Sequence, residues 1–416
     1  MLLEFACANH KSIRSEVQFS TLAGKDHTYE DRIPEAAGYK VLNSAVIYGA
    51  NGSGKSNFFD ALSFVKKLVT SSINYQPGQG ILQTPHKLDG FAKESTYKIQ
   101  FITHNVRYAF GFSIKNMLIA DEYLYYFPNG RQTKIFERNG DDFSCGSKFR
   151  GKLSVCKDIL KQNRLLLSCA ANFSKVAEIT SAFSFFDNEL VFYDPQNQDQ
   201  WMHYSLCQMD TNKRAKSMVL NFLKELDTGI KDIQISTKQK KLDLSAFPSF
   251  LLSDEFKSVL LKKEFTAIKA TVHYDEFSTD LMTEESAGIK KILWFLYPLI
   301  DVMINGKVLI CDELETSLHE SLLYGLVKLF VTTKTDIPAQ LIFTTHDIGL
   351  LNMDLFRRDQ IWFTELKQND RSTDLYSLTE IKNIRKADNF RRGYISGKYG
   401  AIPMLNLDFA NIISNM

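Results

Sequence analysis

The chain has 416 residues, 44% hydrophobic and 24% charged, with 50 Lys plus Arg against 48 Asp plus Glu and a formal net charge of +2. That length allows two or three domains of roughly 100–200 residues, and the composition excludes a disordered, collagen-like or low-complexity chain. Near-balanced charge excludes a uniformly basic nucleic-acid binder but leaves room for a local basic patch.

The 31 Phe residues predict a Phe-rich core. Cys7, Cys145, Cys156, Cys169, Cys207 and Cys311 show no C-x-x-C pair and no metal spacing. All six are expected to be reduced, buried, small apolar side chains. No segment approaches the roughly 18–20 apolar residues that span a bilayer, and Met1 to Phe5 carries an acid and no basic n-region. The expectation is a soluble, cytoplasmic protein with no membrane partner.

Residues 1–23 alternate like strands at Leu3, Phe5, Ile13, Val17 and Phe19. Residues 41–48 form an apolar run that enters a glycine loop. Phe58, Leu62, Phe64, Val65 and Leu68 then recur at helical spacing. Residues 74–95 read as loop. Residues 96–137 read as an antiparallel sheet, with Asn129-Gly130 and Asn139-Gly140 as hairpin signals. Residues 150–265 look mainly helical and polar-faced, and strands alternate with helices from 266 onward. The expected organisation is a split core, 1–145 and 266–416, around a helical insertion at 146–265.

Gly49-Ala-Asn51-Gly52-Ser53-Gly54-Lys55-Ser56 matches G-x-x-x-x-G-K-[ST] without a mismatch, between a strand and a helix. The glycines let backbone N–H groups turn toward phosphate oxygens, and the helix N-terminus adds a positive dipole end. Lys55 would neutralise the β- and γ-phosphates, and the Ser56 hydroxyl would ligate Mg²⁺.

Val308-Leu-Ile-Cys-Asp312-Glu313 is an apolar strand that delivers two acids at its C-terminal end. Such strand ends are where ligands bind in open α/β sheets. Asp312 suits the Mg²⁺ side, and Glu313 can polarise a water for attack on the γ-phosphate. Asp312 follows Lys55 only after the sheet and the insertion. A compact Ras-like or RecA-like core does not need that gap, whereas a split ATPase head does. Thr283-Glu-Glu-Ser286-Ala-Gly288-Ile-Lys-Lys291 is a small-residue turn that opens an apolar helix and offers Ser286 to an anion. Leu341-Ile-Phe-Thr-Thr-His346-Asp347 ends a strand in a histidine placed for a γ-phosphate contact.

In this order the segments GANGSGKS, ESAGIKK, LICDELETSLHE and TTHD resemble the Walker A, signature, Walker B/D-loop and switch-histidine motifs of ABC-type ATPase heads. The resemblance is strongest to the SMC/RecF/OLD branch. Within it the chain is similar to the RloA/AbiL-like and PARIS or Septu ATPases of bacterial anti-phage systems. Ala8-Asn-His-Lys11-Ser-Ile13 resembles their N-F-[KR]-S opening, with His10 where an aromatic is usual, and 392–403 resembles their C-terminal segment. The signature departs from the family at Ile289, which replaces a commoner polar residue.

The resemblance implies an α/β fold: an ABC-type P-loop ATPase head with an antiparallel β subdomain and a helical insertion. It implies ATP and Mg²⁺ as cofactors. Lys11, Gly49, Asn51, Gly52, Ser53, Gly54, Lys55, Ser56 and Asn57 would contact ATP, Ser56 and Asp312 the metal, and Glu313 and His346 would be catalytic. In a homodimer or higher homo-oligomer two heads would sandwich two ATP molecules, so that Ser286 and Gly288 of one copy complete the pocket of the other. Glu315, Ser317 and His319 would sit across the same interface.

The insertion is too short for SMC coiled-coil arms, and the stretch after His346 is too short for an appended Toprim nuclease. A separate effector protein, a nuclease or toxin, is therefore expected, together with a phage-encoded trigger. The alternative is a RecF/SMC-like DNA-repair ATPase, with Lys238/Lys240/Lys241, Lys262/Lys263 and Arg391/Arg392 as candidate nucleic-acid contacts.

Overall fold

Alternating apolar residues at the start of the chain form strands β1 (Leu2–Ala8) and β2 (Val17–Ser20), which pair antiparallel. The computed structural model describes residues 1–193, 198–241, 264–317, 319–333, 337–351, 354–384 and 388–402, without the side chains of 198, 237–241, 264–267 and 317. A two-stranded ribbon, β3 (Glu35–Ala36) and β4 (Tyr39–Lys40), precedes β5 (Ser44–Gly49), in which every residue is buried. The helix α1 (Lys55–Ser71) follows and buries Phe58, Phe59, Ala61, Leu62, Val65, Leu68 and Val69. Phe58, Leu62, Val65 and Leu68 follow the i, i+3, i+4 stripe the sequence predicts, whereas Phe64 is half-buried.

Strands β6 (Ser95–Thr103), β7 (Val106–Lys115), β8 (Leu118–Tyr126), β9 (Thr133–Asn139) and β10 (Asp142–Cys145) extend the first pair. Together they make a seven-stranded sheet in the order β10-β9-β8-β7-β6-β1-β2. Two of its hairpins turn without glycine. His104 and Asn105, and then Asn116 and Met117, all take positive φ. Such paired left-handed residues match the twist of the flanking strands.

The short helices α2 (Cys156–Ile159), α3 (Leu166–Phe173) and α4 (Ala177–Ser184) lead through a π-turn, Phe185–Glu189, into strand β11 (Leu190–Tyr193). Leu165–Leu167, Phe185 and Phe186 share a core with α1 and with Phe5, Phe19, Phe101, Phe110 and Phe136. The Phe101 and Phe185 rings stack at 4.2 Å. A buried ion pair joins β8 to β9, Arg138 Nη1 to Glu122 Oε2 at 3.3 Å, with neither side chain exposed. Glu122 also accepts the N–H groups of Leu166 and Leu167 at the start of α3. Arg138 donates in addition to the carbonyls of Gly140, Lys161 and Arg164.

Residues 194–301 form a compact unit separate from 1–193 and 302–416. That unit holds α5 (Gln198–Thr211), α6 (Lys213–Glu225) and a three-stranded antiparallel sheet of β12 (Asp232–Lys241), β13 (Glu264–His273) and β14 (Ser278–Asp280). Asn212 caps α6 by accepting the Ala215 N–H at 3.1 Å. The helix α7 (Ala287–Asn305) begins there and runs past the unit's end at Asp301.

The expected divisions at 145/146 and 265/266 differ from these limits. Helices α2–α4 bury their apolar faces in the first unit's core, which carries its boundary to Tyr193. The expected helical character of 146–265 holds for α2–α6 but not for β11 or β12. The lysine-rich second half of β12 hides the Ile233/Ile235 alternation.

The central sheet is completed by β15 (Val308–Cys311), β16 (Gln340–Thr344), β17 (Ile361–Leu366) and β18 (Thr373–Ser377), with α8 (Glu320–Thr332) between the first two and α9 (Phe390–Ile395) after the last. Its order is β11-β15-β16-β5-β17-β18, parallel except for β18. Buried Gln340 stitches the two sheets. Its Oε1 accepts the Leu2 N–H, and its Nε2 donates to the carbonyls of Leu2 and Leu42.

All six cysteines are free. Cys7, Cys156, Cys169 and Cys311 are buried as expected. Cys145 is exposed at the end of edge strand β10 and Cys207 is half-buried, so the expectation of burial fails for these two. No described helix is long and apolar enough to cross a membrane.

Candidate functional site

Strand β5 ends at Gly49 in the interior of the central sheet, and the glycine loop turns from it into α1. Gly54, the residue before α1, has φ 104°. A Cβ there would lie 2.0 Å from Thr373 Oγ1, so both backbone and space demand glycine. A relay of hydroxyls grips the loop from outside. Asn57 Nδ2 donates to Ser12 Oγ at 2.7 Å, Ser12 meets Thr373 Oγ1 at 2.7 Å, and Thr373 donates to the Ser53 carbonyl at 2.9 Å. The Ser53 hydroxyl itself is turned inward against Thr364 Oγ1 at 2.6 Å. Asn51, Gly52 and Ser56 are exposed.

Lys55 is buried, and its Nζ folds back to donate to the carbonyls of Gly49 and Ala50 at 2.9 and 3.3 Å. Burial lowers its pKa, while Asp312, Glu313 and Glu315 act in the opposite direction. Three carboxylates therefore bear electrostatically on the loop lysine.

The acids come from the neighbouring strand end. Asp312 is half-buried and Glu313 exposed after four buried residues of β15. Glu313 takes a left-handed backbone, φ 50°, which is uncommon outside glycine and marks a strained turn. Thr344 at the end of β16 holds this turn. Its Oγ1 donates to Asp312 Oδ1 at 2.6 Å and accepts the Glu313 N–H at 2.7 Å. Among the described residues Asp312 Oδ2 has no hydrogen bond, which leaves one hard oxygen available.

His346 follows two residues later and is exposed. The parallel registers Cys311 to Phe343 and Thr344 to Ile47 place all three strand ends on one edge. Gly49–Ser56, Asp312, Glu313 and His346 thus converge there.

Lys11 lies beside the loop's outer grip but is already engaged. Its Nζ pairs with Asp60 Oδ1 on α1 at 2.7 Å. His10 Nε2 takes the other oxygen at 2.8 Å, and its Nδ1 meets the Tyr97 hydroxyl at 2.9 Å. His10 is buried edge-on to Tyr97, which explains a histidine at a position where an aromatic ring is expected.

Ser286 and Gly288 are exposed in the second unit, where Ser286 Oγ accepts the Ile289 N–H at the start of α7. Ser286 is therefore a helix cap in its own unit. Glu315, expected at an interface between copies, is engaged within its own chain, as its Oε1 accepts the His346 N–H. His319 caps α8 through Nδ1. The Ser317 side chain lies outside the described residues, as do those of Lys238, Lys240 and Lys241, and Lys262 and Lys263 entirely. Arg391 and Arg392 are exposed on α9.

Sequence reasoning missed Thr344, Thr364, Thr373 and Ser12. The doubled threonine before His346 was the available signal for the first and the serine of the N-F-[KR]-S-like opening for Ser12, while Thr364 and Thr373 carry no pattern.

The sequence model of the family described as "AAA domain, putative AbiEii toxin, Type IV TA system" matches residues 44–150 and 232–352, more than half of the chain. The chain belongs to this family. The matched blocks contain the glycine loop, Ser286 and Gly288, the acid pair and His346, and they skip α2–α6.

Among solved structures the fold is similar to an SMC head bound to the C-winged helix domain of ScpA, at 14% identity, covering 90% of this chain and 97% of that one, with TM-score 0.41. It is also similar to the SMC head domain from Thermotoga maritima, at 13% identity, 90% and 98% coverage and TM-score 0.42. No curated protein matches the chain significantly.

Proposed function

We propose that the chain binds ATP with Mg²⁺, hydrolyses it as a pair of facing heads, and serves as the sensor or scaffold subunit of a bacterial anti-phage system with a separate effector. The observation that carries the ATPase part is the convergence of the glycine loop, the acid pair and His346 on one edge of the central sheet. The family description, which names a type IV toxin–antitoxin system, supports the defence part.

In this reading the N–H groups of the loop and of α1 bind the phosphates, and Lys55 leaves its carbonyl partners to neutralise them. The exposed Ser56 hydroxyl and Asp312 Oδ2 are hard oxygen donors suited to Mg²⁺, which needs only one or two protein ligands besides the phosphates. When bound, the metal supplies positive charge to the leaving oxygens. Glu313 accepts the proton of the attacking water. Thr344 keeps Asp312 and Glu313 in fixed relation. Ser286 and Gly288 of the second copy close the pocket, so ATP favours the paired state by binding it better.

Phosphate release from Mg²⁺-ATP by the purified protein tests the reading. Glu313→Gln should lower turnover by about a hundredfold or more while nucleotide stays bound, and it should shift the protein toward dimer in size-exclusion chromatography. Unchanged phosphate release would remove Glu313 as the base.

Ser286→Arg should leave ATP affinity of the monomer within about threefold of wild type and abolish ATP-dependent dimerisation. A dimer that persists in light scattering would count against the paired arrangement. Tight duplex binding by the ATP-loaded protein that weakens steeply with salt would instead favour the DNA-repair reading.

A further inference from the structure

The acid turn carries a third carboxylate for which the chemistry above has no use. Glu315 stands in the 3-10 turn Leu314–Ser317, directly after the acid pair. Its Oε1 accepts the backbone N–H of His346 at 2.7 Å, a link between residues 31 apart in sequence. Its Oε2 is buried without a hydrogen-bond partner.

The neighbouring peptide is held from the other side. The Tyr48 hydroxyl, one residue before the glycine loop, donates to the Asp347 carbonyl at 3.0 Å. The turn that presents His346 is thus pinned at its N–H from the β15 side and at its C=O from the β5 side. An anchor for one N–H needs one oxygen. Burying a second carboxylate oxygen unpaired is costly, and its charge adds to those of Asp312 and Glu313 around Lys55.

We propose that Glu315 is a positioning residue that fixes His346 against the acid pair within a single chain, and so governs turnover rather than nucleotide capture. This rests on the ATPase reading above. Capture depends on the loop and Lys55; Glu315 hydrogen-bonds neither, and of the three carboxylates that act on Lys55 it acts least. Turnover depends on His346 and Glu313 holding a common geometry, and displacement of about 1 Å at such a site is enough to slow chemistry strongly. Glu315 ties the turn of one to the turn of the other.

The test compares wild type, Glu315→Ala and Glu315→Gln by steady-state ATP turnover and by amide hydrogen exchange at His346. The alanine variant should lose about tenfold or more in kcat, with KM for ATP within about threefold, and its His346 amide should exchange faster. The glutamine variant keeps a carbonyl oxygen for that N–H and should recover most of both effects. Wild-type kcat in the alanine variant overturns the proposal. So does a parallel loss of kcat, KM and thermal stability, or a glutamine variant no better than alanine. If the wild-type protein releases no phosphate, the ATPase reading fails by itself. The exchange rate of the His346 amide then decides the positioning role alone.

Discussion

Lys55→Ala should leave no measurable ATP binding in a fluorescent-nucleotide titration, while the thermal unfolding midpoint moves by no more than about 5 °C. Among the described residues the native Nζ bonds loop carbonyls alone, so its loss costs the apo fold little. The bound state loses much more. Asp312, Glu313 and Glu315 all act on Lys55 electrostatically, and without it they face a triphosphate uncompensated. Each lost charge-assisted hydrogen bond is worth about 1.5–3 kcal/mol, so two such bonds alone weaken affinity by roughly two to four powers of ten. Because burial lowers the Lys55 pKa, the wild-type affinity should begin to fall at a less alkaline pH than ordinary lysine titration would give. Undiminished binding by the alanine variant would refute the assignment of the loop.

The largest stability effect is expected far from this edge. Arg138→Ala should cost about 3–5 kcal/mol at neutral pH in urea unfolding, because it strands a buried carboxylate. Glu122 would keep two N–H partners at the start of α3 but lose its only ion-pair partner among the described residues.

The sign of the pH dependence follows from Glu122. Burial raises its pKa, against the opposing pull of Arg138 and of the Leu167 and Leu166 N–H groups. A raised carboxyl pKa means that folding favours the protonated form, so stability is present below the unfolded-state pKa and is lost as pH rises through the folded-state one. Removing Arg138 strengthens that trend. The deficit should therefore shrink as the solution is acidified, and a deficit under about 1 kcal/mol at neutral pH would mean that Glu122 is otherwise satisfied.

The site was legible where the proposed chemistry dictates residue type at each position. The glycine loop needs φ 76° at Gly52 and φ 104° at Gly54, and the strand must end in acids. The scaffolding around it was not legible. Thr364 and Thr373 grip Ser53 from two strands remote in sequence, and a lone hydroxyl at a strand end has no spacing to read.

Fold legibility divided in the same way. Asn129-Gly130 and Asn139-Gly140 marked their hairpins. His104-Asn105 and Asn116-Met117 did not, because the left-handed pairs there contain no glycine. Strand β11 was missed because four residues between helices carry too little alternation to stand out. Glu315 was noticed, yet its bond to the His346 N–H was not foreseen, since the acceptor geometry that turns it toward His346 exists only once β15 and β16 lie side by side.

Strand β11 also bears on how this chain can be shortened or recombined with relatives. Its four residues, Leu190–Tyr193, cover the flank of β15 through a parallel register from Leu190 with Val308 to Tyr193 with Cys311. Excising everything between β10 and β12 would strip that cover and leave the ribbon that delivers Asp312 as a bare rim, open to pairing with foreign chains. A soluble deletion has to begin after Tyr193, so the peptide leading up to it is scaffold for the acid pair and not an ornament on it.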